Sequence, residues 1–249
     1  MNVLASELLK LRRSAVWIVV LVLPLLAVIT GTVNYVLNLG AFRGEWDSFW
    51  SQVTLFYGLL FCSVGIATLA SAVWRMEHRG NWPRLMAGPT SSWGIVTAKL
   101  GALWVLVAAM QSALLVLTWA SGVLVAGLSP ALPARFVLSA LVACLGGLAV
   151  AAVQSLLSMV IRSFAAPIAV AILGCVVAIG LLMSGRLALG MLVPYALLTQ
   201  SLSLGSSAIT DAAALNWVAV AQVAGPALVV TVVLTALAGL ILDRRDVRA

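Results

Sequence analysis

Six long apolar runs separated by more polar stretches dominate the pattern of this chain: Ala15 to Leu37, Trp50 to Trp74, Ala98 to Leu124, Phe136 to Ile161, Ala165 to Ser184 and Trp217 to Leu242. Inside each run the apolar residues cover all sides of a helix instead of one stripe, as in a helix surrounded by lipid or protein. Each run reaches the ~20 residues that a helix needs to cross about 30 Å of hydrocarbon, with room for tilt in the longer ones. Pro24 and Pro226 fall inside the first and last runs, where neighbouring helices re-satisfy the carbonyls that a proline frees. The pattern predicts an all-α polytopic membrane protein, with six transmembrane helices forming one domain over residues 1–249.

Ahead of the first run the pattern changes. Met1 to Arg13 sets Val3, Leu4, Leu8 and Leu11 at helical spacing beside Glu7, Lys10, Arg12 and Arg13. A two-faced segment of this kind predicts a short amphipathic helix over residues 1–13, lying on the membrane surface. A cleaved signal peptide also begins with basic residues, but the apolar run here is too long for one and lacks a clear small-residue cleavage site.

Composition narrows the class. Hydrophobic residues make up 63% of the chain and charged ones 8%, against about 25% charged in a soluble domain. A soluble fold is excluded, and six spans leave no room for a separate catalytic domain. The net charge of +7 is too scattered for a nucleic-acid surface. Placed on six spans with the N-terminus inside, the cytoplasmic segments hold 11 of the 14 basic residues; only Arg43, Arg135 and Arg186 remain outside. The positive-inside rule therefore puts both termini in the cytoplasm. Trp46 and Trp50 are expected near the outer interface, and Trp74, Trp82 and Trp93 near the inner one.

The residues that could do chemistry are few. There is no phosphate-binding loop for ATP, and with His78 as the lone histidine a multi-histidine metal site is excluded. Cys62, Cys144 and Cys175 fall inside spans without close spacing and read as small buried hydrophobes. The seven acidic residues, Glu7, Glu45, Asp47, Glu77, Asp211, Asp243 and Asp246, all fall outside the runs. No catalytic residue and no metal ligand set emerges. The polar groups within spans are amides and hydroxyls, and Asn34, Gln111, Gln154 and Gln222 read either as helix-to-helix hydrogen bonds or as a substrate path. In the fourth run Ser139, Ala143, Gly147, Ala151 and Ser155 recur every fourth residue, a stripe along which another backbone can approach, in this chain or a second one.

Two connections exceed what a hairpin needs. The outer one, 185–216, carries Leu187, Leu189, Met191, Leu192, Val193, Leu197 and Leu198 close together. It predicts short re-entrant or interfacial helices broken near Pro194 and Gly205, packed against protein or a wet cavity. The inner one, 75–97, is the most polar part of the chain, with a turn at Gly88 and Pro89 and a capping cluster Thr90, Ser91 and Ser92 ahead of the next helix.

The order Glu77, Arg79, Trp82, Leu85, Pro89, Trp93, Lys99 and Leu100 in that inner connection resembles the loop after the second span of ABC-2-type exporter permeases, in particular the lantibiotic-immunity and bacitracin-resistance kind. The opening S-E-L-x-K-L-R-R-S, from Ser6 to Ser14, is similar to their N-terminal interface helix. The resemblance implies a transmembrane subunit of the bacterial cytoplasmic membrane, paired with a second permease, identical or related. Two copies of a separate ATPase subunit would bind the ATP and Mg; this chain itself would hold no cofactor. It also implies a cytoplasmic coupling helix between spans two and three, seated in the ATPase, with Glu77, His78, Arg79, Trp82 and Arg84 as contact residues and Glu7, Lys10, Arg12 and Arg13 on the interface helix beside it. Membrane lipid is a further partner. The function implied is export of an amphipathic substrate, such as an antimicrobial peptide, a drug or a lipid. A secondary transporter driven by an ion gradient, or a non-transporting assembly subunit, remain the alternatives; the first would want intramembrane charge or an inverted repeat, and neither is visible.

Overall fold

The computed structural model describes residues 3–42, 44–78, 91–205 and 216–246. Among these the regular elements are helical: α1 (Val3–Leu11), α2 (Val16–Leu37), α3 (Trp46–Met76), α4 (Ser92–Leu124), α5 (Ala134–Val160), α6 (Ala165–Met183), α7 (Leu187–Gly190), α8 (Pro194–Leu202) and α9 (Trp217–Asp246). Six of them, α2 to α6 and α9, are long and apolar enough to cross a membrane.

The helix ends follow local chemistry. α4 starts at the capping cluster: the Ser91 backbone is extended and its hydroxyl accepts from the Gly94 amide at 3.2 Å, which satisfies one of the free amides of the first turn. α8 starts with Pro194 in its first turn, where a missing N–H costs nothing. The chain leaves α8 through Gly205 at φ +80°, a left-handed turn that suits glycine.

α5 is the most enclosed span and α6 the least. The small-residue stripe explains the position of α5, and it faces elements of its own chain. Gly147 lies against Val107 of α4 and Ile66 of α3. Ser139 Oγ donates to the Ser201 carbonyl of α8 at 2.9 Å, and Ser155 Oγ accepts from Trp74 Nε1 of α3 at 2.8 Å; Ala143 and Ala151 are fully buried between them. One residue off the stripe, Gly146 lets α8 close: a Cβ there would lie 2.9 Å from Leu198 Cα and from Ser201 Oγ.

Of the described residues in the 185–216 connection α8 is the enclosed part, while Leu189 and Leu192 ahead of it stay exposed. Tyr195, Ala196, Leu197, Leu198, Thr199, Ser201 and Leu202 of α8 are all enclosed. The seat of α8 includes a π turn in α3 at Tyr57–Phe61. Such a turn shifts the helical register and frees a carbonyl for another partner; Thr199 Oγ donates to the Gly58 carbonyl at 2.7 Å.

At this end of the bundle Trp50 is fully buried and stacks on Phe136, ring centroids 4.8 Å apart, and Trp46 donates to the Ser129 carbonyl. Trp74 at the other end is fully buried as well. All three indoles turn into the bundle, where each has an aromatic or hydrogen-bonding partner.

Candidate functional site

The most concentrated chemistry among the described residues lies at the end of the bundle where α1, the end of α3 and the start of α4 meet. Glu7 and Lys10 are three apart on α1 and share a helix face; Lys10 Nζ donates to Glu7 Oε1 at 2.6 Å. Glu77 follows the last turn of α3, and Lys99 projects from α4 two turns inside its cap. Lys99 Nζ donates to Glu7 Oε2 at 3.0 Å and to Glu77 Oε1 at 2.9 Å, and Lys10 reaches Glu77 Oε1 at 3.0 Å. Two carboxylates and two ammonium groups thus form a neutral quartet that joins three segments.

Burial makes the pairing compulsory. Lys99 is 0% exposed, Glu77 1% and Glu7 4%, and an unpaired charge at such a site costs several kcal/mol or shifts to its neutral form. The Lys99 ammonium also lies 5.1 Å from the centre of the Trp74 ring, where the ring face attracts a cation. Burial alone would raise the Glu77 carboxyl, but Lys99 and Lys10 outweigh it and hold the group below its ordinary 4.5. For Lys10 burial works downward, and the hydrogen bonds it donates to Glu7 and Glu77, with their negative charge, more than offset it, so its value stands above 10.5.

The quartet is braced by α5. Trp74 is anchored on Ser155, the Ser71 and Ser158 hydroxyls are 3.3 Å apart, and His78 Nε2 donates to the Ser158 carbonyl at 2.9 Å. An apolar cluster of Trp74, Ile95, Val96, Met159, Ala238 and Leu242 fills the space beside it. The two ends of the inner connection are therefore fixed: its start by Glu77 and His78, its return by Ser91 and Lys99.

The expected contact residues divide in three. Glu77, read from the sequence as a docking group, points into the chain toward Lys10 and Lys99. His78 is half-buried against α5. Arg79, Trp82 and Arg84 lie outside the described residues. On the N-terminal helix Glu7 and Lys10 belong to the quartet, while Arg12 and Arg13 are exposed. The four span amides do not converge. Asn34 Nδ2 donates to Gln52 Oε1 at 2.6 Å, Gln111 Nε2 lies 3.4 Å from Cys62 Sγ, Gln154 Nε2 donates to the Tyr195 hydroxyl at 2.6 Å, and Gln222 is exposed on α9. Cys62, Cys144 and Cys175 are buried free thiols.

Sequence reasoning missed the role of Lys99, which counted only as one more cytoplasmic cation. The signal was present: a lysine inside a long apolar helix needs a carboxylate, and Glu7 and Glu77 flank the same surface.

Neither a curated protein nor a solved structure matches the chain. Residues 3–178, from α1 through most of α6 and including the whole quartet, match the sequence model of a family described as ABC-2 family transporter protein. The chain belongs to the ABC-2 transporter family, as a membrane permease component of an ABC transporter that works with an ABC ATPase.

Proposed function

We propose that this chain is the permease subunit of an ATP-driven exporter that moves an amphipathic substrate, such as an antimicrobial peptide, a drug or a lipid, out of the bacterial cytoplasmic membrane. ATP and Mg are bound by two ATPase subunits, and a second permease, identical or related, completes the pathway. Both termini and the quartet lie on the cytoplasmic side. The segment between Glu77 and Ser91 docks on the ATPase, with Arg79, Trp82 and Arg84 as its contact residues; tryptophan and arginine are the types that most often anchor interfaces.

The observation that carries this reading is the neutral quartet. It ties the N-terminal helix to both ends of the inner connection, so a force applied to that connection reaches α1, α3 and α4 together. Ion-gradient transport has less support, since the paired charges among the described residues gather at helix ends, Glu7, Lys10, Glu77 and Lys99 at one and Asp47 with Arg135 at the other.

The test is reconstitution with any ABC ATPase encoded beside this chain. The two should copurify, and the permease should change the rate of ATP hydrolysis. Trp82→Ala and Arg84→Glu should each abolish that change while leaving the melting temperature of the permease unaltered. Hydrolysis indifferent to both variants, or transport that follows an ion gradient without ATP, rejects the proposal.

A further inference from the structure

The face of α1 opposite the quartet is open. Ala5, Leu8, Leu9, Arg12 and Trp17 line a groove of about 540 Å³ between α1 and the start of α2, within the range of ~300–1,000 Å³ typical of small-molecule sites. Its walls are apolar and open: Leu9 is 57% exposed and Trp17 40%. One rim is cationic, formed by Arg12 with Arg13 beside it.

We infer that this groove binds an anionic phospholipid of the cytoplasmic leaflet, with its phosphate on Arg12 and Arg13 and an acyl chain along Leu8, Leu9 and Trp17. The inference rests on α1 lying at the cytoplasmic surface of the membrane. Charge supports it first. Lys10 is spent on Glu7 and Glu77, whereas neither Arg12 nor Arg13 has an ion-pair partner among the described residues. The nearest carboxylate on the same helix, Glu7, is buried on the far side and neutralised by two lysines.

The end of α1 would ordinarily repel an anion through its free carbonyls. Here two of them are occupied. The Leu11 carbonyl accepts from the Ser14 amide at 3.0 Å and from Trp17 Nε1 at 3.0 Å, and the Leu9 carbonyl accepts from the Arg12 amide at 3.3 Å. The Trp17 bond also fixes the indole as one wall of the groove. A soluble anion would match the arginines and leave the apolar walls wet; a zwitterionic lipid would cover the walls but set its own cationic group beside the two arginines. A phospholipid with an acidic headgroup satisfies both at the junction of a surface helix and the first span.

The experiment is native mass spectrometry of the full chain in detergent, titrated with phosphatidylglycerol or phosphatidylcholine of identical chains. Phosphatidylglycerol should bind more tightly. Arg12→Gln and Arg13→Gln should each weaken it about fivefold, and the double variant should bring it level with phosphatidylcholine. Leu9→Asn should weaken both lipids alike, and excess inorganic phosphate should not displace bound lipid. Both arginines are exposed, so the melting temperature of these variants stays that of the parent. Equal binding of the two lipids, insensitivity to the arginine changes, displacement by phosphate, or lipid lost whenever a second copy of the chain covers the groove would each overturn the inference. None of these readouts involves the ATPase, so failure here is distinct from failure of the proposed export function.

Discussion

Replacing Lys99 by methionine keeps most of the side-chain volume and removes one charge from the quartet. The ammonium of Lys99 donates to Glu7 Oε2 and Glu77 Oε1 at 3.0 and 2.9 Å and is fully enclosed. Without it two buried carboxylates share Lys10 alone. Breaking one side of a buried ion pair costs about 3–5 kcal/mol, because the remaining charge stays uncompensated. At about 2–4 °C per kcal/mol for a domain of this size, the melting temperature should fall by roughly 6–20 °C. The chain carries its own reporters: Cys62, Cys144 and Cys175 are buried free thiols, so a thiol-reactive fluorophore follows unfolding in detergent. The same physics predicts a rescue. Removing all three buried charges with Glu7→Leu, Glu77→Leu and Lys99→Met leaves Lys10, which is partly exposed, free to reach water. Wholesale apolar replacement of a buried ion cluster is often neutral or stabilising by about 1–4 kcal/mol, so the triple variant should melt near or above the parent. A single variant within about 2 °C of the parent, or a triple variant no better than the single one, would refute the claim that the quartet is an obligatory, buried neutral cluster.

Three further outcomes follow from the geometry. Glu77 is held below its ordinary value, so its contribution is fully present above about 4.5 and is lost as pH falls through the lower folded-state value; a pH series of melting curves should show a drop in the parent below pH 4.5 that is smaller in Glu77→Gln. Lys10 has the opposite sign, with its share intact below 10.5 and lost only as pH rises through a still higher value. Thr199→Val keeps the shape but leaves the buried Gly58 carbonyl without the donor that now lies 2.7 Å away; about 1–3 kcal/mol of stability should disappear in denaturant titration. Gly146→Val forces branched carbon against the backbone at Leu198, 2.9 Å from where the Cβ would stand, and should cost about 1–3 kcal/mol or more through overpacking, visible as a lower melting temperature and as protease cleavage near α8.

The six spans were legible because length and hydropathy alone decide whether a helix can cross a bilayer, and that information is local in the sequence. Ser91 as part of a capping cluster and a break near Pro194 were legible for the same reason; that the break is the start of α8 was not. The site was legible only in its parts. Glu7, Lys10 and Glu77 stood out as charges near the membrane surface, yet their pairing joins residues 67 and 92 positions apart, and no periodicity encodes such a contact. The indoles show a second limit. Composition marked Trp46, Trp50 and Trp74 as residues near helix ends, but their partners Ser129, Phe136 and Ser155 come from distant segments and were not legible. The small-residue stripe on α5 announced a close approach without naming the neighbour; α3, α4 and α8 supply it.

The two ends of the bundle are held by interactions of different strength, and the difference bears on how force would pass through the chain. At the end away from the quartet Asp47 pairs with Arg135, and both side chains are close to half exposed. Water and salt screen such a pair, which contributes about 0–1 kcal/mol and opens readily. At the other end the quartet cannot be pulled apart one residue at a time without stranding a charge, at about 3–5 kcal/mol for each break. That exceeds thermal energy several-fold, so α1, the end of α3 and the start of α4 respond as one body, braced on α5 through Trp74, Ser71 and His78. If the ATPase docks beside the quartet, as proposed, the bundle is tied rigidly where it is pushed and moves most at the end that Asp47 and Arg135 hold. Covalent locking of that end, by cysteines in place of Asp47 and Arg135, should therefore stop transport while leaving ATPase binding intact; transport that survives the crosslink would reverse the argument.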